Sequence, residues 1–163
     1  MTGVQTCALP ISGSYWFCPQ VANSDYLNPC NWDARSPSVM VTPAAVAAPA
    51  ELDFTLARGT ALYVQVDDPN QVLSPTDDLG IGARSPSGNR VAAQPPLKTA
   101  GGQRLYRVIV PLGAPYTPVL NPGKFQIEHG APGERLASPF DKAAESKIGE
   151  APKVFRLTVK ASR

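Results

Sequence analysis

Two cysteines carry the clearest chemical signal in this chain. Cys18 and Cys30 bracket residues 19–29, a polar stretch with proline at both ends. A pair at this spacing can oxidise to a disulfide, and closing a loop of that size stabilises the fold by about 3 kcal/mol in the chain-entropy view. Such a bond persists where the surroundings are oxidising, so the pair points to a secreted, periplasmic or cell-surface protein. The alternative is a pair of free, buried thiols in a reducing compartment. Zinc does not fit: a closed tetrahedral site needs one ligand more than these two cysteines and the single histidine, His129, supply, and the cysteines lack C-x-x-C spacing.

The remaining reactive residues form no convincing set. Serine hydrolysis requires a nucleophile, a base and an orienting acid. His129 ends an alternating segment beside Gly130-Ala131-Pro132-Gly133, no G-x-S-x-G elbow occurs, and Ser85 and Ser87 stand in a turn. A structural or solvated histidine is the simpler reading. Glu51, Asp53, Glu128 and Glu134 are the carboxylates available for paired acid and base work, but Glu51 and Asp53 take the outward register of an alternating segment. Asp67-Asp68 and Asp77-Asp78 flank a loop holding Asn70. Calcium takes about six to eight oxygens; without EF-hand spacing, turn formation and capping account better for these acids. Gly80-Ile81-Gly82-Ala83 lacks the third glycine and the lysine of a phosphate-cradling loop. No catalytic residue, metal site or cofactor is expected.

Aromatic residues are concentrated in one place, at Tyr15, Trp16, Phe17, Tyr26 and Trp32. Exposed together, Trp16, Tyr26 and Trp32 would stack on sugar rings and make a carbohydrate-binding face. The simpler reading is that they fill a core or a domain junction, since aromatic side chains bury large areas.

The elements that must position these residues are strands. Period-two alternation dominates, and no segment holds a helical stripe free of Pro or Gly. The clearest case lies in 51–66: Leu52, Phe54 and Leu56 alternate with polar residues, Arg58-Gly59-Thr60 intervenes, and Leu62, Val64 and Val66 alternate in turn, which predicts a hairpin or a corner between sheets. Further strands are predicted at 14–18, 39–42, 79–84, 103–110, 116–120, 124–129 and 154–160, with turns at 85–89 and 100–102. Residues 139–148 hold the only helical candidate, at most two turns or a loop. Leu52, Phe54, Leu56, Leu62, Val64, Val66, Ile109, Phe155, Leu157 and Val159 form the predicted core. Strands at this spacing, among 18 prolines and 13 glycines, predict an all-β fold: an Ig-like or transthyretin-like antiparallel β-sandwich.

Charge narrows the partners. Fifteen basic and 13 acidic residues give a net charge of +2, and no run of three consecutive Lys or Arg occurs. Phosphate binding needs a clustered basic face, so a nucleic-acid partner is not expected. Nor does any apolar run approach the roughly 20 residues that span a bilayer, so membrane insertion is not expected either. A composition shift falls at residues 44–50, a small-residue stretch that reads as a linker or a sparsely packed strand.

Two resemblances refine this reading. Residues 1–11, Met-Thr-Gly-Val-Gln-Thr-Cys-Ala-Leu-Pro-Ile, resemble the in-frame translation of a short-read sequencing adapter. They are set aside as non-native, Cys7 with them, which implies a truncated fragment of metagenomic type that has lost its N-terminus. Gly13-Ser14-Tyr15-Trp16-Phe17-Cys18, followed by Asp25-Tyr26-Leu27-Asn28-Pro29-Cys30-Asn31-Trp32, resembles the C-terminal end of carboxypeptidase regulatory-like domains of secreted bacterial proteins, particularly acidobacterial ones. The rest looks like the uncharacterised β-rich segment that follows such domains, Leu56-Ala57-Arg58-Gly59 and Val66-Asp67-Asp68-Pro69 matching its opening.

The resemblance implies a transthyretin-like sandwich without catalysis. It predicts that residues 12–36 are the last strand and cysteine loop of a preceding β-domain, and that 37–163 form the sandwich. The expected role is a non-enzymatic extracellular module, serving as spacer, stabiliser or adhesion unit. Its partners would be neighbouring domains of the same chain, a carbohydrate or another cell-surface protein. An accessory domain of a secreted hydrolase, its catalytic domain lying upstream, is the remaining alternative.

Overall fold

The computed structural model describes residues 13–21, 24–32, 38–41, 53–98 and 103–161. Among them are β1 (Gly13–Trp16), β2 (Ser38–Val41), β3 (Gly59–Asp67), β4 (Gly82–Arg84), β5 (Arg90–Ala92), β6 (Gln94–Lys98), β7 (Arg104–Pro111), β8 (Pro115–Val119), β9 (Gln126–His129), β10 (Ala144–Glu145) and β11 (Val154–Lys160). β1 and β2 form a two-stranded ribbon. β10-β8-β4-β5 make a four-stranded sheet, and β6-β7-β3-β11-β9 a five-stranded one. Every pairing between these strands is antiparallel except β11 beside β3. The fold is the all-β sandwich that the alternation predicts, with that one parallel pair added.

Alternation dictates which residues enter the core. Leu62, Val64 and Val66 of β3 lie beside Val108 and Tyr106 of β7 and Leu157 and Val159 of β11, and Ile81, Ala83 and Tyr116 join them from the four-stranded side. A fully buried Val or Leu contributes about 1.5–3 kcal/mol, so this set supplies the main driving force for closing the two sheets. Phe155 packs against the same cluster while half-buried. Ile109 does not enter it. Its strand neighbours Val108 and Val110 point inward, which turns Ile109 to the opposite face of the five-stranded sheet.

The predicted strand at 51–56 is corrected. Leu52 lies outside the described residues, 53–57 run as irregular chain, and Phe54 is exposed, its ring 6.3 Å from that of Phe17. Arg58-Gly59-Thr60 is no connection either: Gly59 and Thr60 open β3, opposite Pro111 and Val110. Gly59 serves close packing, since a Cβ there would stand 2.5 Å from the Val110 carbonyl oxygen and 2.8 Å from Leu27 Cδ2. The predicted turn at 100–102 and the small-residue stretch at 44–50 fall outside the described residues. Segment 139–148 contains no helix; it supplies β10.

Sheet edges are blunted in ways that hide them from sequence periodicity. β5 and β10 are three and two residues long, and β6 carries Pro95-Pro96 with a register shift between Gln94 and Leu97. Short, proline-bearing edges resist pairing with another chain.

Candidate functional site

Cys18 and Cys30 are bonded, with their sulfurs 2.00 Å apart. The linked segment lies against the sandwich. Leu27 N donates to the Ala57 carbonyl at 2.9 Å and Gly59 N to the Asp25 carbonyl at 2.7 Å, so residues 25–27 run beside the approach to β3. Leu27 is buried and flanks Gly59, as Ile109 does. Arg107, facing outward from β7, ion-pairs with Asp25, contacts the Ser24 carbonyl at 3.4 Å and donates to Gln94 Oε1 at 3.2 Å. Asn89 Nδ2, in the β4–β5 turn, donates to the Cys30 carbonyl at 3.2 Å. Trp32 packs against the core cluster. The cysteine loop therefore clasps the side of the sandwich where β5 passes into β6.

Between loop and sheets lies a cavity of about 90 Å³ whose walls include Tyr26, Trp32, Asn31, Gln94 and Arg107. A site for a drug-sized ligand occupies about 300 Å³ or more, so this space suits a few water molecules. Tyr26 and Trp32 are brought together here; Trp16 is not among the lining residues and stands 69% exposed on β1. Arg58 lies over the Tyr26 ring, 5.9 Å from its centroid.

His129 closes β9 on the inner side, opposite Leu157. Its ring centroid is 5.8 Å from that of Phe140, and its buried Nδ1 has no hydrogen-bond partner. Burial lowers its pKa below the ordinary 6.5. A general base must reach a substrate proton, and the enclosed Nδ1 does not. Ser85 and Ser87 bond each other at 2.9 Å across the β4–β5 turn.

Asp67, Asp68, Asp77, Asp78, Glu128 and Glu134 are engaged by the fold. Buried Asp67 accepts from Gln65 and Gln103 and pairs with Arg156 at 3.1 Å. Asp68 accepts from Val72 N and Leu73 N, both at 2.9 Å. Asp77 takes Ser74 N and Ser74 Oγ, each at 2.8 Å, and these bonds, with Lys124 nearby, hold its carboxyl below the ordinary 3.8. Asp78 accepts from Gly80 N at 2.8 Å. Buried Arg104 completes this connection by donating to the carbonyls of Leu73 at 2.9 Å and Ser74 at 2.8 Å. Tyr106 lies on the same strand, and burial raises its pKa above 10.0. Glu128 pairs with Lys160, and Glu134 Oε2 accepts from Ala131 N at 2.8 Å. Glu51 lies outside the described residues and Asp53 is exposed in irregular chain. Among the described residues, no group of three or more potential metal ligands occurs.

Arg107, Asp25 and Asn89 were not singled out by the sequence. Alternation in β7 places Arg107 outward, but no local pattern links it to a residue more than 80 positions earlier. No family model, curated protein or solved structure matches the chain.

Proposed function

We propose that this chain is a non-catalytic β-sandwich module of a larger exported protein, acting as spacer, stabiliser or adhesion unit. The observation that carries the reading is the disulfide-closed loop clasped to the sandwich through Asp25–Arg107 and Asn89–Cys30. An oxidised pair suits an extracytoplasmic setting, and a clasp built from it hardens a module against local unfolding. The lone histidine, turned into the core beside Phe140, supports a non-enzymatic role. On this reading residues 1–11 are adapter-derived and residues 12–36 close a preceding carboxypeptidase regulatory-like domain.

Long-read sequencing of the parent DNA across Ser12 tests the proposal. It predicts an upstream export signal followed by a strand-rich domain. Recovery of a catalytic domain without an export signal would overturn it. The accessory-domain alternative predicts instead a hydrolase domain behind an export signal. The carbohydrate reading of Trp16, Tyr26 and Trp32 rests on the exposure of Trp16 and Tyr26; it predicts retention on insoluble polysaccharide that Trp32→Ala abolishes while the fold persists.

A further inference from the structure

On the flank of the four-stranded sheet, three polar side chains from separate segments gather around Gly80. Asp78 Oδ1 accepts from Gly80 N at 2.8 Å, and Arg90 donates to the Gly80 carbonyl at 2.6 Å. Asn121 N donates to the Leu79 carbonyl at 3.0 Å, which fixes Asn121 beside Gly80. All three side chains line one hollow of about 380 Å³, with Ile81 and Ala92 as its apolar part.

The glycine is structurally required. Its φ is +55°, and a Cβ would stand 2.8 Å from Asn121 Cβ and 2.9 Å from the Arg90 guanidinium. Asp78 and Arg90 are thus fastened to the same backbone unit, with hydrogen-bonding capacity left over: a carboxylate accepts through two oxygens and a guanidinium carries five donors. Asp78, Ile81 and Ala92 also border a second hollow of about 280 Å³, which continues along Gln94, Pro96 and Tyr106.

The chemistry of this wall selects its ligand. Guanidinium and carboxylate side by side balance in charge, which disfavours a strongly anionic or cationic guest. A carboxylate that accepts, a guanidinium that donates and an amide that does both match adjacent hydroxyl groups, each of which donates and accepts. The first hollow falls within the roughly 300–1,000 Å³ range of small-molecule sites. We propose that the Gly80 hollow binds a neutral saccharide ring through Asp78, Arg90 and Asn121, and that the adjoining hollow receives the next ring of the chain. Trp16, Tyr26 and Trp32 line neither hollow, and the proposal does not depend on the exported-module reading.

The test is titration of the isotope-labelled protein with cellohexaose, xylohexaose and maltohexaose, followed by amide shifts. With at least one of them, saturable shifts at Gly80, Arg90 and Asn121 are expected, with affinity lowered at least tenfold in both Asn121→Ala and Arg90→Gln. Both substitutions fall on exposed side chains, and the amide spectrum of each variant reports whether it remains folded. No saturable shift with any of the three, shifts confined to Tyr26 and Trp32, or unchanged affinity in the two folded variants would overturn the proposal.

Discussion

His129 shows how one side chain ties sequence to pH response. Its ring is packed against Phe140, which in turn meets Phe155 edge-on at 5.8 Å, and Nδ1 has no partner. Burial disfavours the imidazolium, so the folded chain binds this proton less readily than the unfolded chain. Stability is therefore highest above the ordinary pKa of 6.5 and falls as pH drops through that value toward the lower folded one. Urea midpoints should decline between about pH 7.5 and pH 5, and the decline should be smaller in His129→Phe. An equal decline in both proteins would remove His129 as the source. Asp77 acts in a separate window. Its depressed pKa adds stability above the ordinary 3.8, and that contribution disappears as pH falls through the folded value.

At the scale of elements, two substitutions separate side-chain satisfaction from backbone packing. Arg104→Met would leave the Leu73 and Ser74 carbonyls without their buried donor, at a cost of about 2 kcal/mol by chemical denaturation. Gly59→Ala would push a Cβ into the Val110 carbonyl and Leu27, costing about 1–3 kcal/mol. A neutral result for either variant would refute the corresponding contact. These elements also show what was legible in advance. β3, β7 and β11 announce themselves because each packs one face on the core, so period two survives in the residues. β5 and β10 are too short to show a period, and the prolines of β6 argue against a strand unless it lies at an edge. The alternation at 52–56 imitates a strand, yet residues 53–57 run irregularly beside the cysteine loop. Gly59 reads locally as a turn residue, while its true cause is long-range crowding.

Across the whole molecule, the cysteine pair was legible from spacing and its target was not. Asp25–Arg107 and Asn89–Cys30 join residues 82 and 59 positions apart, and no local pattern encodes such distances. The Gly80 cluster escaped for the same reason: Asp78, Arg90 and Asn121 come from three segments that meet only after the sheets close. The clasp yields a further expectation. Arg107→Ala should cost only about 0.2–1 kcal/mol through its partly exposed ion pair, whereas reducing Cys18–Cys30 should cost about 3 kcal/mol. Denaturation of the two proteins, with and without reductant, compares those terms.

An exported module of this kind requires the Cys18–Cys30 bond to form in the native protein. The most direct measurement is alkylation of the full chain after export to an oxidising compartment, under denaturing conditions and before reduction, with the modified cysteines assigned by mass spectrometry. Cys18 and Cys30 should stay unlabelled before reduction and become reactive only after it. Label at Cys18 and Cys30 before reduction would contradict the clasp and the extracytoplasmic setting inferred from it.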